Sequence, residues 1–593
     1  MNLNPSQLRA VSCGSGPCLV LAGPGSGKTT VIIRRIQHLI NVFNIRPANI
    51  LAVTFSRSAA GEMAERFGRG DVSFATLHSI CLKILKEEMP GVKVISLTRQ
   101  YAFLRSEVIR YRIPYESMDT ICRELVLKIS RLKSASGNAA AGASDMTFLR
   151  IFSDYCLFMN ESGLLDFDDM VSECRKLFML RPDVLSKWQE RFQYILVDEF
   201  QDISPLQYDV ICQLGGDAAN VFAVGDDDQG IYTFRGADGG IMQRFLDDHP
   251  NATRITLDVN YRCGEVIQAA AGQVISGCES RFEKAVVPVR SGGALTISSF
   301  ASRREEYRSI IAEIRKLNSP AGADCAGGDT LPDIAVLFRT NDDSLLFSKM
   351  LRDAGIAFTG IDALGGQRYD ADLFPVQDIQ AYLNIAANLK SGSAAPCREE
   401  FLRVINRPER YIHRDSLRFH GTSTARACLE SMKHFYRGTQ MSTVISKLEQ
   451  DLLLIADLPL SAAIKYIRFA IGYDKWLMDY ANEHHRDADR LLVSLDCYSG
   501  GGDGGAGGDA FPAVSILTMH AAKGKEFDVV FLPDSNEGVI PVKRSVKEGL
   551  LDEERRLYYV AMTRARDALH ISWVTELHNK AAVPSRFIRD LDQ

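Results

Sequence analysis

Gly23-Pro24-Gly25-Ser26-Gly27-Lys28-Thr29 follows the apolar run Cys18-Leu19-Val20-Leu21-Ala22 and opens onto Val31-Ile32-Ile33-Arg34-Arg35-Ile36. Strand, glycine loop and helix stand in the order that a phosphate-binding P-loop requires. Glycines let such a loop turn its backbone N–H groups inward around β- and γ-phosphates. The N-terminus of the following helix adds partial positive charge. Lys28 is placed to reach the terminal phosphates and Thr29 to offer its hydroxyl to Mg²⁺. A glycine loop without a ligand is the bland alternative, and the full spacing in its strand context argues against it. The stretch predicts a bound nucleoside triphosphate and an α/β fold around it.

A P-loop needs a second metal carboxylate and a group that orients water. Tyr194-Ile195-Leu196-Val197-Asp198-Glu199 reads as a strand of a buried parallel sheet that ends in two acids,. Asp198 is expected to hold the Mg²⁺ hydration shell and Glu199 to polarise the attacking water. An acidic pair after an apolar strand is often plain surface. Next to a P-loop, and continued as Phe200-Gln201-Asp202, it gains meaning.

Other pieces follow in a fixed order. They are Leu3-Asn4-Pro5-Ser6-Gln7, Ile50 to Phe55, Thr76-Leu77-His78-Ser79, Val224 to Gly236, Asn260-Tyr261-Arg262, Thr518 to Phe527, and Glu553 to Ala565. In that order the chain resembles the UvrD/Rep/PcrA branch of superfamily 1 helicases, from Leu3 to about Phe587. The resemblance implies two RecA-like P-loop motor domains, each with a mainly helical inserted subdomain. It also implies ATP and Mg²⁺ as cofactors and single-stranded DNA as the track. Gln7 would read adenine through its amide, Tyr261 would stack on the base and Glu526 would take the ribose hydroxyls. Thr30, just after the loop, belongs to the same nucleotide site. Gln229 would contact the γ-phosphate and the attacking water, and Arg262 and Arg564 would act as arginine fingers. An unrelated role for Arg564, a helix-face arginine paired with Glu553 or Glu554, stands beside that one. Phe55, His78, Tyr232, Phe234, Arg235, Phe338 and His520 match family positions that line a base-stacking groove. Phe338, inside Ile334-Ala335-Val336-Leu337-Phe338-Arg339, reads almost as well as core.

Departures from the family pattern fall outside the phosphate chemistry. Thr30 stands where arginine is usual, Arg57-Ser58 replaces an Asn-Lys pair, Leu345 and Ser348 replace Arg and Glu, and Phe234 replaces Trp. Arg407-Pro408-Glu409-Arg410-Tyr411-Ile412-His413 stands where relatives carry a glycine-rich turn that holds duplex backbone. The arginines at 403, 407, 410, 414 and 418 form either a basic strip facing duplex or a solvated helix face.

At 593 residues the chain is too long for one core,. The motifs fall into two groups. The first motor domain is expected at 1–84 and 166–261 with a helical insertion at 85–165. The second is expected at 262–380 and 511–593 with a helical insertion at 381–510. Ser134 to Ser144, Ser319 to Gly328 and Gly500 to Ala510 read as flexible surface loops. Thirteen cysteines without a CxxC pair argue against zinc or iron–sulfur sites and fit reduced thiols in a cytoplasm,. No apolar stretch approaches the roughly 20 residues of a membrane span, and the N-terminus lacks a signal-peptide pattern. The net charge of −5 does not exclude nucleic acid, because phosphate contacts depend on local patches,. The chain ends soon after Pro584-Ser585-Arg586-Phe587, leaving no expected room for the partner-binding tail of several relatives or for a nuclease segment.

The expected function is an ATP-dependent DNA helicase tracking 3′ to 5′ on a single strand in repair, replication or recombination. Its partners would be single-stranded DNA, junctions of single- and double-stranded DNA, and repair or replication proteins, with no membrane. The alternatives are a single-strand translocase that unwinds poorly without a partner, and a nucleotide-gated binding protein that switches without moving.

Overall fold

The computed structural model describes residues 3–68, 70–114, 118–134, 145–216, 218, 220–233, 236–318, 331–360, 374–417, 424–483, 491–492, 495, 514–577 and 580–592. Nearly all of the three low-complexity stretches, together with Phe234, Arg235 and Arg418, lie outside the described residues. The chain forms two compact units. Unit 1 comprises Met1–Ser298, Met519–Trp573 and Pro584–Gln593, and unit 2 comprises Ser299–Thr518 and Val574–Val583.

Unit 1 is built on a six-stranded sheet: β1 (Cys18–Ala22), β2 (Ile50–Thr54), β3 (Ser73–Thr76), β4 (Tyr194–Val197), β5 (Val221–Gly225) and β6 (Thr253–Leu257). Their spatial order is β3-β2-β4-β5-β1-β6, and every pairing is parallel. A parallel sheet covered on both faces wants unbroken apolar strands rather than alternation. The runs CLVLA, ILAVT and VFAVG meet that demand, each buried throughout. One layer packs Val31, Ile32, Ile36 and Leu39 against β1 and β2. The other packs Leu77, Cys81, Ile84, Trp188, Tyr208 and Phe245 from the opposite side. Each such aliphatic side chain contributes about 1.5–3 kcal/mol by leaving water.

α2 (Lys28–Asn41) starts where β1 ends, and α1 (Pro5–Val11) packs beside it. Buried Arg35 of α2 donates to the carbonyls of Val11, Cys13 and Gly14. A cation at a helix C-terminus satisfies orphan carbonyls and opposes the macrodipole. In the segment between β3 and β4, the helices Leu97–Arg110, Met118–Ser134 and Met146–Ser162 share a separate core of Leu104, Val108, Leu125, Ile151 and Tyr155. Unit 1 also holds the helix Leu551–Met562 and the parallel pairing of Phe527–Leu532 with Ala565–Val574, from Phe527↔Ala565 to Leu532↔Ile571.

In unit 2, Val514–Thr518 pairs in parallel with Ile334–Phe338 on one side and Phe358–Gly360 on the other. Its helical part runs from Phe374–Ser391 to Tyr473–Glu483 around Tyr382, Ile385, Phe401, Leu429 and Leu452. Two α/β sheets of parallel strands, each accompanied by a mainly helical segment, make the architecture of two RecA-like motor domains. No described helix is long and apolar enough to cross a membrane.

The arginines near 407 fit neither expectation. The helix Arg398–Val404 carries Arg403 in its last turn and ends before Arg407 and Arg410. Arg403 and Arg407 turn inward to the fully buried Asp378, which also accepts from Tyr473 at 2.7 Å. Arg410 donates to the carbonyls of Val404, Ile405 and Pro408. They hold a turn that leaves Tyr411 81% exposed, in left-handed backbone with φ 56°. Leu345 and Ser348, which stand where the family pattern has Arg and Glu, are buried in unit 2.

Candidate nucleotide and DNA site

The C-terminal ends of the parallel strands supply the site, as in open α/β sheets generally. β1 leads into the glycine loop, and α2 begins at Lys28 behind Gly27, which sits at φ 81°. Gly25 sits at φ 64°, and a Cβ there would stand 2.4 Å from Asn260 Oδ1 and 2.6 Å from Arg262 Cβ. Only glycine lets the loop press against the Asn260-Tyr261-Arg262 segment, where Tyr261 N donates to Gly25 O at 3.0 Å.

A cavity of about 720 Å³ opens on this loop. Gly25 to Thr30, Asp198, Glu199, Gln229, Tyr261, Arg262, Glu526 and Arg564 all line it. Eight Lys and Arg side chains face five Asp and Glu, a balance that suits a polyanion,. Gly23 and Pro24 are buried behind the wall.

Glu199 stands two residues past the end of β4 in left-handed backbone, φ 50°. Lys28 Nζ lies 3.1 Å from its Oε1, and Gln201 Nε2 donates to its Oε2 at 2.5 Å. Burial acts to raise the Glu199 carboxyl, but Lys28, Lys523 and Gln201 outweigh it and hold the group below the usual range. Burial, reinforced by the charge on Glu199, pushes neighbouring Asp198 upward. The surroundings thus push the two carboxyls apart, Glu199 downward and Asp198 upward,. Burial also pushes Asp202 up to about 6 against the ammonium of Lys523. That ammonium donates to Asp202 and, at 2.7 Å, to Gln229 O.

Arg262 Nε donates to Glu526 Oε2 at 2.8 Å, and Arg566 donates to the other carboxylate oxygen. The residue expected to take a ribose is thus held by two guanidiniums. Arg564 is 1% exposed and donates to Val560 O at 2.8 Å, Lys525 O at 3.1 Å and Thr563 Oγ1 at 3.2 Å. Glu553 accepts from Thr233 N, and Glu554 from Val542 N and Ser545 Oγ. Burial and neighbouring Arg262 draw the Arg564 guanidinium downward.

Gln7 is buried, with Nε2 donating to Ser26 O at 2.9 Å and Oε1 accepting from Asn4 N at 3.1 Å. One amide hydrogen and one lone pair are left for a base. Tyr261 is 44% exposed, and Asn4 Nδ2 donates to its hydroxyl at 2.9 Å. Thr29 and Asp198 present a hydroxyl and a carboxylate to the same cavity, the hard oxygen donors that Mg²⁺ takes,.

Among the groove candidates, Phe55, Tyr232 and His520 come together. Phe55 stacks on Tyr232 with ring centroids 4.8 Å apart and planes 12° apart, and Tyr232 stands 6.3 Å from His520. All three line the cavity's rim. His78 lies in an adjoining cavity of about 460 Å³ that shares Phe55, Asp198 and Glu199 as walls. Its ring meets Phe167 edge-on at 5.8 Å, and burial lowers its pKa. Phe338 does not belong with them. It is 1% exposed in unit 2, packed against Tyr307 and Phe347, and a ring so enclosed has no face for a base.

The sequence reading missed Arg281, Lys284, Arg290 and Arg566. Arg290 donates to Arg262 O at 2.9 Å and to Asp567 at 2.5 Å. None sits in a run with a chemical signature.

A sequence profile of the UvrD/REP helicase N-terminal domain matches residues 3–250, and one of the UvrD-like helicase C-terminal domain matches 255–435 and 503–576. The chain is 31% identical to the ATP-dependent DNA helicase PcrA of Bacillus subtilis, over 96% of this chain and 82% of that one. It is 28% identical to the ATP-dependent DNA helicase PcrA of Leuconostoc citreum, over 99% and 84%. For the protein of that name from Staphylococcus aureus (strain Mu50) the identity is 29%, over 100% and 86%.

Proposed function

Because the chain belongs to the UvrD/Rep family of ATP-dependent DNA helicases, we propose that it tracks 3′ to 5′ along single-stranded DNA and opens duplex at junctions. Its setting would be repair, replication or recombination in the cytoplasm, with protein partners from those processes. One observation carries the reading: Lys28, Glu199, Gln229, Arg262 and Arg564 line a single cavity over the glycine loop. A protein that merely switched on nucleotide would not need two arginines beside a water-orienting acid.

In this reading Lys28 and the loop amides bind the β- and γ-phosphates. Thr29 and Asp198 would hold Mg²⁺, which would supply positive charge to offset the negative charge developing on the phosphates. Glu199 orients and deprotonates the attacking water. Arg262 and Arg564 stabilise the transferring phosphoryl group, a role worth roughly 10³–10⁵ in rate. Gln7 and Tyr261 contact adenine, and Glu526 contacts the ribose. The base track runs over Phe55, Tyr232 and His520, with His78, Phe234 and Arg235 beside it. The motor domains are assigned to 1–84 with 166–261 and to 262–380 with 511–593. Residues 85–165 and 381–510 are their insertions.

A second reading, a translocase with weak unwinding, is favoured by the turn at Tyr411. Its arginines 403, 407 and 410 are spent on Asp378 and on backbone carbonyls. ATPase and strand-displacement assays on duplexes with 3′ or 5′ single-stranded tails test both readings. Displacement only from 3′ tails supports the first. DNA-stimulated ATPase without displacement supports the second, and displacement only from 5′ tails overturns the polarity.

A further inference from the structure

Asp226, Asp227 and Asp228 bring carboxylate oxygens within 4.8 Å of one another, the spacing of a cation site. The cation there is a side chain. Lys284 Nζ lies 2.5 Å from Asp226 Oδ1, 2.5 Å from Asp227 Oδ1 and 3.1 Å from Asp228 Oδ2, and the lysine side chain is only 1% exposed. Arg281 adds a bidentate pair to Asp228 at 3.0 and 2.8 Å, and Phe282 N donates to Asp227 at 2.7 Å. The loop 281–284 thereby clamps the segment that carries Gln229.

The clamp has a chemical consequence at Gln229. Asp226 is wholly buried and accepts from Gln229 Nε2 at 2.6 Å through Oδ2, while Oδ1 faces Lys284. An ionised carboxylate only accepts hydrogen bonds, whereas a protonated one donates. A carboxylate buried without a counter-ion takes up a proton. Burial pushes the Asp226 carboxyl up, and Lys284 is the largest influence against it. Asp228 and Asp227 push it up, Lys28 draws it down, Asp228 N donates to its Oδ1 at 3.3 Å, and Tyr559 on the helix Leu551–Met562 also feels its charge. Both aspartates oppose its ionisation. Of the two cations, Lys284 is the one in contact.

We propose that Lys284 is a positioning residue for hydrolysis: by keeping Asp226 ionised it turns the Gln229 amide nitrogen toward Asp226 and the amide oxygen toward the nucleotide cavity. There the oxygen accepts a hydrogen bond from the attacking water and helps aim it at the γ-phosphate. Without Lys284 a protonated Asp226 can donate to the amide oxygen, which reverses the side chain and presents an N–H to the water. The inference rests on the placement of Gln229 beside the γ-phosphate in the function proposed above.

The test compares kcat, KM for ATP and nucleotide affinity in saturating single-stranded DNA. The proteins are the unaltered chain, Gln229→Ala, Asp226→Asn, Lys284→Met and the double variant Asp226→Asn/Lys284→Met. Asp226→Asn and Lys284→Met should each lower kcat by about tenfold or more, with KM and affinity within about twofold, because only a transition-state contact is lost. The double variant removes one charge of each sign, so it leaves the balance of the cluster unchanged and keeps the test open should Lys284→Met fold poorly. Its kcat should equal that of Asp226→Asn alone. Recovery of the double variant to the unaltered kcat would show that only charge balance mattered and overturn the proposal. Full activity in Lys284→Met, or losses that multiply in the double variant, would overturn it as well. If Gln229→Ala is impaired while Lys284→Met is not, this inference fails alone. If Gln229→Ala is itself fully active, the placement of Gln229 fails with it.

Discussion

Replacing Glu199 with glutamine changes one atom and one charge, and the surroundings forecast two effects of opposite sign. The substituted amide keeps the size of the side chain and can still accept from Gln201 Nε2, so the fold should survive. Loss of the base should lower kcat by roughly 10²–10⁴, or about 3–5 kcal/mol of barrier. Lys28, now 3.1 Å from Glu199 Oε1, is released toward phosphate. At that distance the bare Coulomb attraction is about 5 kcal/mol with an effective dielectric near 20. Desolvation and solvent screening reduce it, since the two side chains retain 13% and 22% exposure. A net gain of about 1 kcal/mol for Lys28 remains, a roughly fivefold tightening of ATP. Steady-state phosphate release with single-stranded DNA reads the first effect, and equilibrium ATP binding reads the second. Turnover within about threefold of the unaltered chain would remove Glu199 from the base role. Sharply weaker binding would make it a ground-state ligand instead.

Arg564→Ala should lower kcat by roughly 10³-fold or more while changing ATP affinity far less; a loss confined to affinity would contradict the finger role, and kinetics beside equilibrium binding decide. Tyr232→Ala should weaken the stimulation of ATPase by single-stranded DNA more than it weakens basal hydrolysis, since it removes a ring worth about 1–3 kcal/mol per base. Equal loss of both in parallel assays would mark Tyr232 as packing. Glu526→Gln should lower thermal stability at neutral pH. Burial acts to raise the Glu526 carboxyl, but Arg566 and Arg262 hold it at about 2, against 4.5 for the free group. Its stabilisation is therefore fully present above pH 4.5 and is lost as pH falls toward 2,. The difference in Tm between the two proteins should shrink between pH 7 and about pH 3.5; a constant difference would mean that the charge is not what stabilises.

The nucleotide half of the site was legible because phosphate chemistry fixes local backbone. A glycine loop must join strand to helix, and two acids must end a neighbouring strand, so Lys28, Thr29, Asp198 and Glu199 stand where their spacing put them. Groups from distant parts of the chain were legible only by resemblance. Arg262 and Arg564 reach the cavity, but nothing within their own segments announces it. Lys284 escaped altogether, because a lone lysine in Arg281-Phe282-Glu283-Lys284 has no periodicity and no flanking signal. Its partners lie more than fifty residues earlier. The groove was read less well, since a strand-end aromatic looks alike whether it meets a base or a core. Phe338 turned out to be core for that reason. The Arg407 turn misled because spacing cannot reveal Asp378, a buried anion that draws the arginines in.

Glu199 occupies a backbone conformation that costs a residue with a Cβ about 1–2 kcal/mol. A glycine there would feel none of it. Glu199→Gly would release that strain, but it would also leave Lys28, Lys523 and Gln201 without the carboxylate they hold. The strained backbone persists because these contacts over-determine the residue, so the position that aims the acid at the nucleotide is kept in place by the same cations that keep it charged.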